Sequence, residues 1–419
     1  MEEAQEKRQM PALLLAGARL LDGTGAPAMD HAAVLIREKH IVAVGAEQTM
    51  DLPSEGVTKV DLGGMTLLPG LIDCHVHILG DPDPVSKPYT GPYVAGRSIL
   101  RGAKHARQTL EAGFTTIRDM MAPNEQIFPL RDSIAAGETV GSRILAAGKC
   151  ITISGGHGTQ FGPGNAIEAD GPQEVFKAVR QQIRAGADVI KIMATRPAFS
   201  PPYRGREAYQ VDELVPGIAE AHRAGLRVCA HAHSIVAGIR NAVLAGADSV
   251  EHGSPVDDSV LEIMAERGIF LVPTLSVSAA LEECLEQGTF PYPSEAIEAE
   301  RRQAAATRQA VARARELGVK IALGSDAAMP RVWHGGNARE LELLVDHGLT
   351  PMEAIVAGTW NAVQNLGRAD ELGTIEPGKI ADLVVVDGDP LADIRILQDK
   401  DRIRLVILEG RIAVDRRRV

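Results

Sequence analysis

Two histidines two residues apart, His75 and His77, close the run Leu71-Ile72-Asp73-Cys74-His75-Val76-His77, which is entered through Leu68-Pro69-Gly70. In a strand, residues i and i+2 project to the same side, so both imidazoles aim at one point, and the chemistry this suits is metal ligation. Alone the pattern is weak, because two histidines also flank solvated strand ends. Its weight comes from later apolar runs that carry or end in ligand types: Asp188-Val189-Ile190-Lys191-Ile192, Leu226-Arg227-Val228-Cys229-Ala230-His231-Ala232-His233 and Asp248-Ser249-Val250-Glu251-His252-Gly253. A fourth, Val319-Lys320-Ile321-Ala322-Leu323-Gly324-Ser325-Asp326, ends in an aspartate. Strand tips that converge are what a closed parallel barrel supplies, with its active site at the C-terminal ends of the strands.

Lys191 stands in an apolar strand, where a buried ammonium needs either neutralising or a paired acid. A protonated ammonium cannot ligate a cation. The carbamate formed by carbon dioxide and the neutral amine is a carboxylate on a long arm, able to bridge two metal ions. Taken alone, Lys191 reads as half of an ion pair; beside His75, His77, His231, His252 and Asp326 it reads as the bridge. His231 and His233 face the same way, and spacing does not choose between them.

Other candidates lie on loops after the strands. Ile151-Thr152-Ile153-Ser154-Gly155-Gly156-His157-Gly158 enters a glycine-rich turn that lets backbone approach a ligand, which places His157 against substrate. Arg196, Tyr203, Arg204, Arg206 and Tyr209 follow Lys191 and form a cationic, hydroxyl-bearing loop suited to an α-carboxylate. His334, in Trp333-His334-Gly335-Gly336-Asn337, is a candidate for the mouth of the site. His31, His40, His105, His222 and His347 read as structural.

The elements that position these residues divide by pattern. The first segment and the tail, exemplified by Leu13-Leu14-Leu15 and by Asp382-Leu383-Val384-Val385-Val386-Asp387, are short strands between turn residues, which predicts a small β-sandwich built from residues 1–69 and 371–419. Between them, over 70–370, strands alternate with helices expected at 94–112, 172–185, 211–224, 235–245, 257–267 and 294–317. Phrases such as Arg184-Ala185-Gly186-Ala187-Asp188 and Leu244-Ala245-Gly246-Ala247-Asp248 repeat a helix end, a C-cap glycine and a strand start. The expected fold class is α/β: a distorted (β/α)8 barrel with a discontinuous β domain.

The chain has 419 residues, 45% hydrophobic and 24% charged, enough for a barrel of about 250 residues and a second module. With a net charge of -11 and no basic cluster except Arg416-Arg417-Arg418, a nucleic-acid surface is excluded. No apolar run reaches membrane-spanning length, the first ten residues do not read as a signal peptide, and the four scattered cysteines read as reduced, so a cytoplasmic protein is expected.

The order His-x-His, Lys, His, His, Asp on successive strand ends, opened by Leu68-Pro69-Gly70-Leu71-Ile72-Asp73 and followed by Gly373-Thr374-Ile375-Glu376-Pro377-Gly378-Lys379-Ile380-Ala381-Asp382-Leu383-Val384, closely resembles the amidohydrolase superfamily. Within it the sequence looks most like the branch of Xaa-Pro and broad-specificity dipeptidases, metal-dependent carboxypeptidases and ochratoxin-type amidohydrolases. The resemblance implies a homo-oligomeric enzyme with two divalent metals, usually zinc. It puts His75, His77, carboxylated Lys191 and Asp326 on one metal and Lys191, His231 and His252 on the other, with His233 in the substrate shell. Water bridging the pair would attack a polarised amide carbonyl, with Asp326 as proton shuttle. Tyr209 resembles the branch's tyrosine, whereas Arg196 stands where relatives often have glycine. The expected reaction releases a C-terminal amino acid from a dipeptide or N-acyl amino acid. The alternatives are hydrolysis of a cyclic amide such as an imidazolone, against which Lys191 counts, and a non-catalytic scaffold, which would be expected to have replaced the ligands.

Overall fold

The computed structural model describes residues 12–53, 55–83, 94–196, 206–289 and 297–417. It is an α/β protein with one mixed sheet and two parallel sheets. Strands from both ends of the chain share the eight-stranded mixed sheet, in the order Arg411–Asp415, Ile403–Leu408, Leu383–Val386, Thr66–Pro69, Ala12–Leu20, Met29–Arg37, His40–Ala46, with Val57–Asp61 also paired to Ala12–Leu20. Both faces of this sheet are covered: Leu13 and Leu15 pack in one apolar cluster with Val34 and Ile36, while Ala12, Leu14 and Ala16 pack in another with Ala33 and Leu35. Period-two alternation with apolar residues on both sides is the signature of a sheet buried on both faces.

The parallel sheets carry the candidate ligands. One consists of Leu71–Val76, Phe114–Asp119 and Arg143–Ala146. The other runs Ala166–Glu168, Cys150–Thr152, Val189–Met193, Arg227–Ala232, Ser249–His252, Phe270–Val272. Backbone bonds join the sheets at two places: Asp188 N donates to Ala146 O at 2.8 Å, and residues 320–327 bridge the far side, where Leu271 N donates to Lys320 O at 2.9 Å and Cys74 N to Leu323 O at 2.9 Å.

The expected helices form as Val94–Glu111, Gly171–Ala185, Val211–Arg223, Val236–Ala245, Asp258–Arg267 and Ile297–Glu316. Gly186 and Gly246 end two of them with φ of 93° and 96°, a conformation that would strain most other residues. The run Val319–Asp326 departs from expectation. It forms an isolated bridge at Ile321, and Ala327 just after it another, instead of a continuous strand, because Ser325 N donates to the Asp73 carboxylate in place of a ladder carbonyl. Gly324 is needed there, since a Cβ would meet His75 Cβ at 2.8 Å.

The helix Leu275–Glu286 lacks a side-chain cap of its own. Buried Glu340 supplies one, accepting from Leu275 N at 2.8 Å, Ser276 N at 2.8 Å and Ser276 Oγ at 2.6 Å. Glu340→Ala leaves these donors without an acceptor and is expected to destabilise the fold by about 1–3 kcal/mol. Thermal unfolding of the variant checks this, and an unchanged midpoint would show that the donors find other partners.

Candidate active site and metal centre

One cavity of about 210 Å³ gathers His75, His77, His157, Lys191, His231, His233, His252 and Asp326. His75 sits on the Leu71–Val76 strand, Lys191 on Val189–Met193, His231 on Arg227–Ala232 and His252 at the end of Ser249–His252. Ligand atoms of His75, His252 and Asp326 lie within 4.8 Å of one another. His77 Nε2 is 3.2 Å and His75 Nε2 3.6 Å from Asp326 Oδ1.

Each imidazole is oriented by a partner. His75 Nδ1 is 2.7 Å from Glu251 Oε2; a carboxylate can only accept, so the proton is on Nδ1 and Nε2 faces the cavity with its lone pair. His252 Nδ1 is 2.7 Å from Thr274 Oγ1, and its Nε2 is 2.9 Å from His231 Nδ1. His77 Nδ1 contacts Met121 O at 3.4 Å, and Asp119 Oδ2 accepts from Ile78 N at 2.7 Å, fixing the backbone that follows His77. Asp73 accepts from His75 N at 3.0 Å, Ser325 Oγ at 2.6 Å and Asn337 Nδ2 at 2.7 Å, so one buried carboxylate ties the His75 strand to the segment that ends in Asp326.

Two of these positions are bent. His252 has φ 70° and Asp326 φ 56°, left-handed conformations that cost roughly 1–3 kcal/mol in a non-glycine residue and cluster at functional sites. By alternation, Ser249 and Glu251 share a face, and Ser249 Oγ donates to Glu251 at 2.5 Å. The left-handed turn lets His252 line the cavity while its neighbour Glu251 stays buried below it.

Burial, reinforced by the Lys191 charge, pushes His75 down to about 4, and burial pushes His233 down to about 4. These imidazoles are therefore neutral at physiological pH, with lone pairs available. Burial alone would raise the Asp326 carboxyl; His75 and His77 outweigh it and hold Asp326 well below the usual carboxylate range. Burial also lowers Lys191 from the usual lysine value. His231 Nε2 is buried without a hydrogen-bond partner among the described residues, and Asp326 Oδ1 faces His77 Nε2 and His75 Nε2. Imidazole nitrogens converging on an ionised carboxylate, one of them unpartnered, fit a divalent metal of the zinc type.

His157 stacks on His231 with ring centroids 4.4 Å apart, and Gln160 lies 2.7 Å from its Nδ1. His233 borders His252 at 5.3 Å and contacts Ser234 Oγ through Nδ1 at 2.7 Å. Three residues expected to contact substrate do not line this cavity. Tyr209 is buried in the apolar layer behind the sheet and donates its hydroxyl to Ala169 O at 2.9 Å. The Arg196 guanidinium donates to Ser154 O at 3.1 Å and Gly155 O at 3.2 Å, bracing the loop before His157 instead of lining the cavity. His334 stacks on His105 at 4.3 Å and borders a separate surface cleft with Lys104 and Trp333. Arg206 is exposed, and Tyr203 and Arg204 lie outside the described residues.

The remaining cavity wall was not anticipated. Met121, Met193, Val277, Leu281 and Met329 make it largely apolar, with Gln160, Thr274 and Gln303 adding polar groups. Thr274 closely follows the Phe270–Val272 strand, a strand-end signal that could have found it; Gln303 sits within a long helix and has no local signal.

The profile of the Amidohydrolase family matches residues 66–413. The chain belongs to the amidohydrolase family. This amidohydrolase is 33% identical over 425 residues to an ochratoxinase of Aspergillus niger, covering 94% of the chain and 85% of the relative. A solved Xaa-Pro dipeptidase with bound methionine superposes with a TM-score of 0.87 at 30% identity, covering 96% of this chain and 99% of the other. The A. niger ochratoxinase structure superposes with a TM-score of 0.84 at 32% identity, covering 97% and 96%. The amidohydrolase thus falls with the Xaa-Pro dipeptidase and ochratoxinase branch and is a hydrolase acting on amide bonds.

Proposed function

We propose that the protein cleaves the amide joining an acyl group to a C-terminal amino acid, in a dipeptide or an N-acyl amino acid including ochratoxin-type amides, at a centre of two divalent metals. The observation that carries this is the convergence of His75, His77, Lys191, His231, His252 and Asp326 on one cavity. In this reading the parallel sheets close into a distorted (β/α)8 barrel over 70–370, and residues 1–69 and 371–419 form a β-sandwich domain. The backbone bonds that join the sheets support closure.

His75, His77, carboxylated Lys191 and Asp326 would hold one metal, and Lys191, His231 and His252 the other. When bound, such ions supply a Lewis acid for the carbonyl and make water a nucleophile near neutral pH. Asp326, ionised and facing the cavity, takes the proton of the attacking water and hands it to the leaving amine. His157, His233 and Gln160 orient the polar part of the substrate, and the Met121, Met193, Val277, Leu281 and Met329 wall excludes water and receives an apolar side chain. The reading includes a cytoplasmic homo-oligomer, supported on the first point by four buried cysteines that form no disulfide.

The test is hydrolysis of a dipeptide and N-acyl-amino-acid library by protein loaded with zinc and bicarbonate, with Asp326→Asn as control. Release of C-terminal amino acids, strongest from substrates with an apolar side chain and absent in the control, is expected. No release from protein shown to carry two metals would overturn the reading in favour of cyclic amides.

A further inference from the structure

A fully buried ion pair crosses the interior below the cavity. Arg118 belongs to the three-stranded parallel sheet and Glu251 to the six-stranded one; they are 1% and 0% exposed, with Arg118 Nη2 donating to Glu251 Oε1 at 3.0 Å. Both Glu251 oxygens are engaged: Oε1 also accepts from Ser249 Oγ at 2.5 Å, and Oε2 from His75 Nδ1 at 2.7 Å. Arg118 grips the same strand from a second side, donating through Nε to Cys74 O at 2.6 Å, the carbonyl just before His75, and reaching Asn365 Oδ1 through Nη1 at 3.4 Å.

We infer that Arg118 and Glu251 are positioning residues for the metal centre, fixing the ring orientation and tautomer of His75. Stability alone gives little reason for such a pair, because well-packed apolar side chains of similar volume replace buried ion pairs at no cost or with a gain. Orientation does give one. Imidazole can carry its proton on either nitrogen, and a carboxylate that only accepts selects Nδ1–H and leaves Nε2 to ligate. Arg118 in turn holds the carboxylate and the His75 backbone together, so ring and strand move as one body. Among the described residues Glu340 is as deeply buried, but its partners are donors at the start of the Leu275–Glu286 helix and it orients no imidazole.

This assignment rests on the metal-centre reading above, and cobalt(II) titration of the metal-depleted full-length protein separates the two. Binding is followed by visible absorption and by metal analysis. Wild-type protein is expected to take up two cobalt ions. Glu251→Gln is expected to weaken one of them about 10–100-fold and change its absorption band while the other is retained. Lost turnover should return as cobalt is raised, which a purely structural defect would not allow. Glu251→Gln leaves Arg118 buried and uncompensated, so a second variant, Arg118→Met with Glu251→Gln, removes both charges and should show the same selective loss. Ser249→Ala keeps both charges, takes one hydrogen bond from the carboxylate and should weaken the same cobalt several-fold. Folded Glu251→Gln or Ser249→Ala protein that binds both cobalt ions with wild-type affinity and spectrum overturns the assignment. Wild-type protein that takes up no tight cobalt overturns the metal-centre reading, and this assignment with it.

Discussion

Replacing Lys191 with alanine is expected to strip the protein of tightly bound divalent metal and to lower amide hydrolysis by at least about a thousandfold. Lys191 is 1% exposed on the strand Val189–Met193, and burial lowers its ammonium from the usual lysine value. A larger share of neutral amine is then present, and in the proposed centre its nitrogen would bond to the carbon of carbon dioxide with loss of one proton, giving a carbamate able to hold two metal ions. Alanine removes that bridge and opens space at the floor of the cavity. Added acetate or propionate should restore part of both metal content and turnover by occupying the vacated position. Metal analysis and turnover on the untreated variant decide the matter: full metal and full activity without added acid would exclude Lys191 as a bridge.

The second large effect is expected at Asp326. Asn keeps the shape of the side chain and tolerates the left-handed φ of 56° better than most residues, so Asp326→Asn should fold and hold most of its metal. It loses the site that accepts the proton from water, and turnover should fall by about 10²–10⁴-fold. Steady-state kinetics with metal analysis on one sample separates proton transfer from ligation. Near-normal turnover in metal-replete Asp326→Asn protein would remove Asp326 as the proton shuttle.

The residues that converge on the cavity were legible because they stand in or just after apolar runs, and strand alternation fixes where a side chain can point. His75, His77 and His231 lie at strand ends, and Lys191 lies mid-strand in Val189–Met193. His252 is found by it for an incomplete reason: strict alternation would assign Glu251 to the interior and turn His252 away, and only the left-handed bend at His252 brings both inside. Glu251 therefore has no signal of its own in the sequence, although it lies beside His252. Arg118 was hidden in another way, since its partner is 133 positions distant and only the folded arrangement of the sheets brings the two together. The directions of Tyr209 and Arg196 were not legible, because residue type suggests a role but not a direction: Tyr209 turns behind the sheet to Ala169, and Arg196 turns to the carbonyls of Ser154 and Gly155. The helix Leu275–Glu286, which lines the cavity with Val277 and Leu281, has only a modest polar face and does not stand out by period.

The mixed sheet has a consequence for how the chain is made. Thr66–Pro69 lies between Leu383–Val386 and Ala12–Leu20, with Leu68 opposite Val384, and Gly70 leads directly from it into the strand bearing His75. A ribosome releases the chain from its N-terminus, so this edge has no partner until more than three hundred further residues have emerged. Pairings so distant in sequence form late and slowly, and an open strand edge invites association between nascent chains in the interval. Yield in a heterologous host should therefore respond to translation speed and chaperone supply more than to the thermal stability of the finished enzyme.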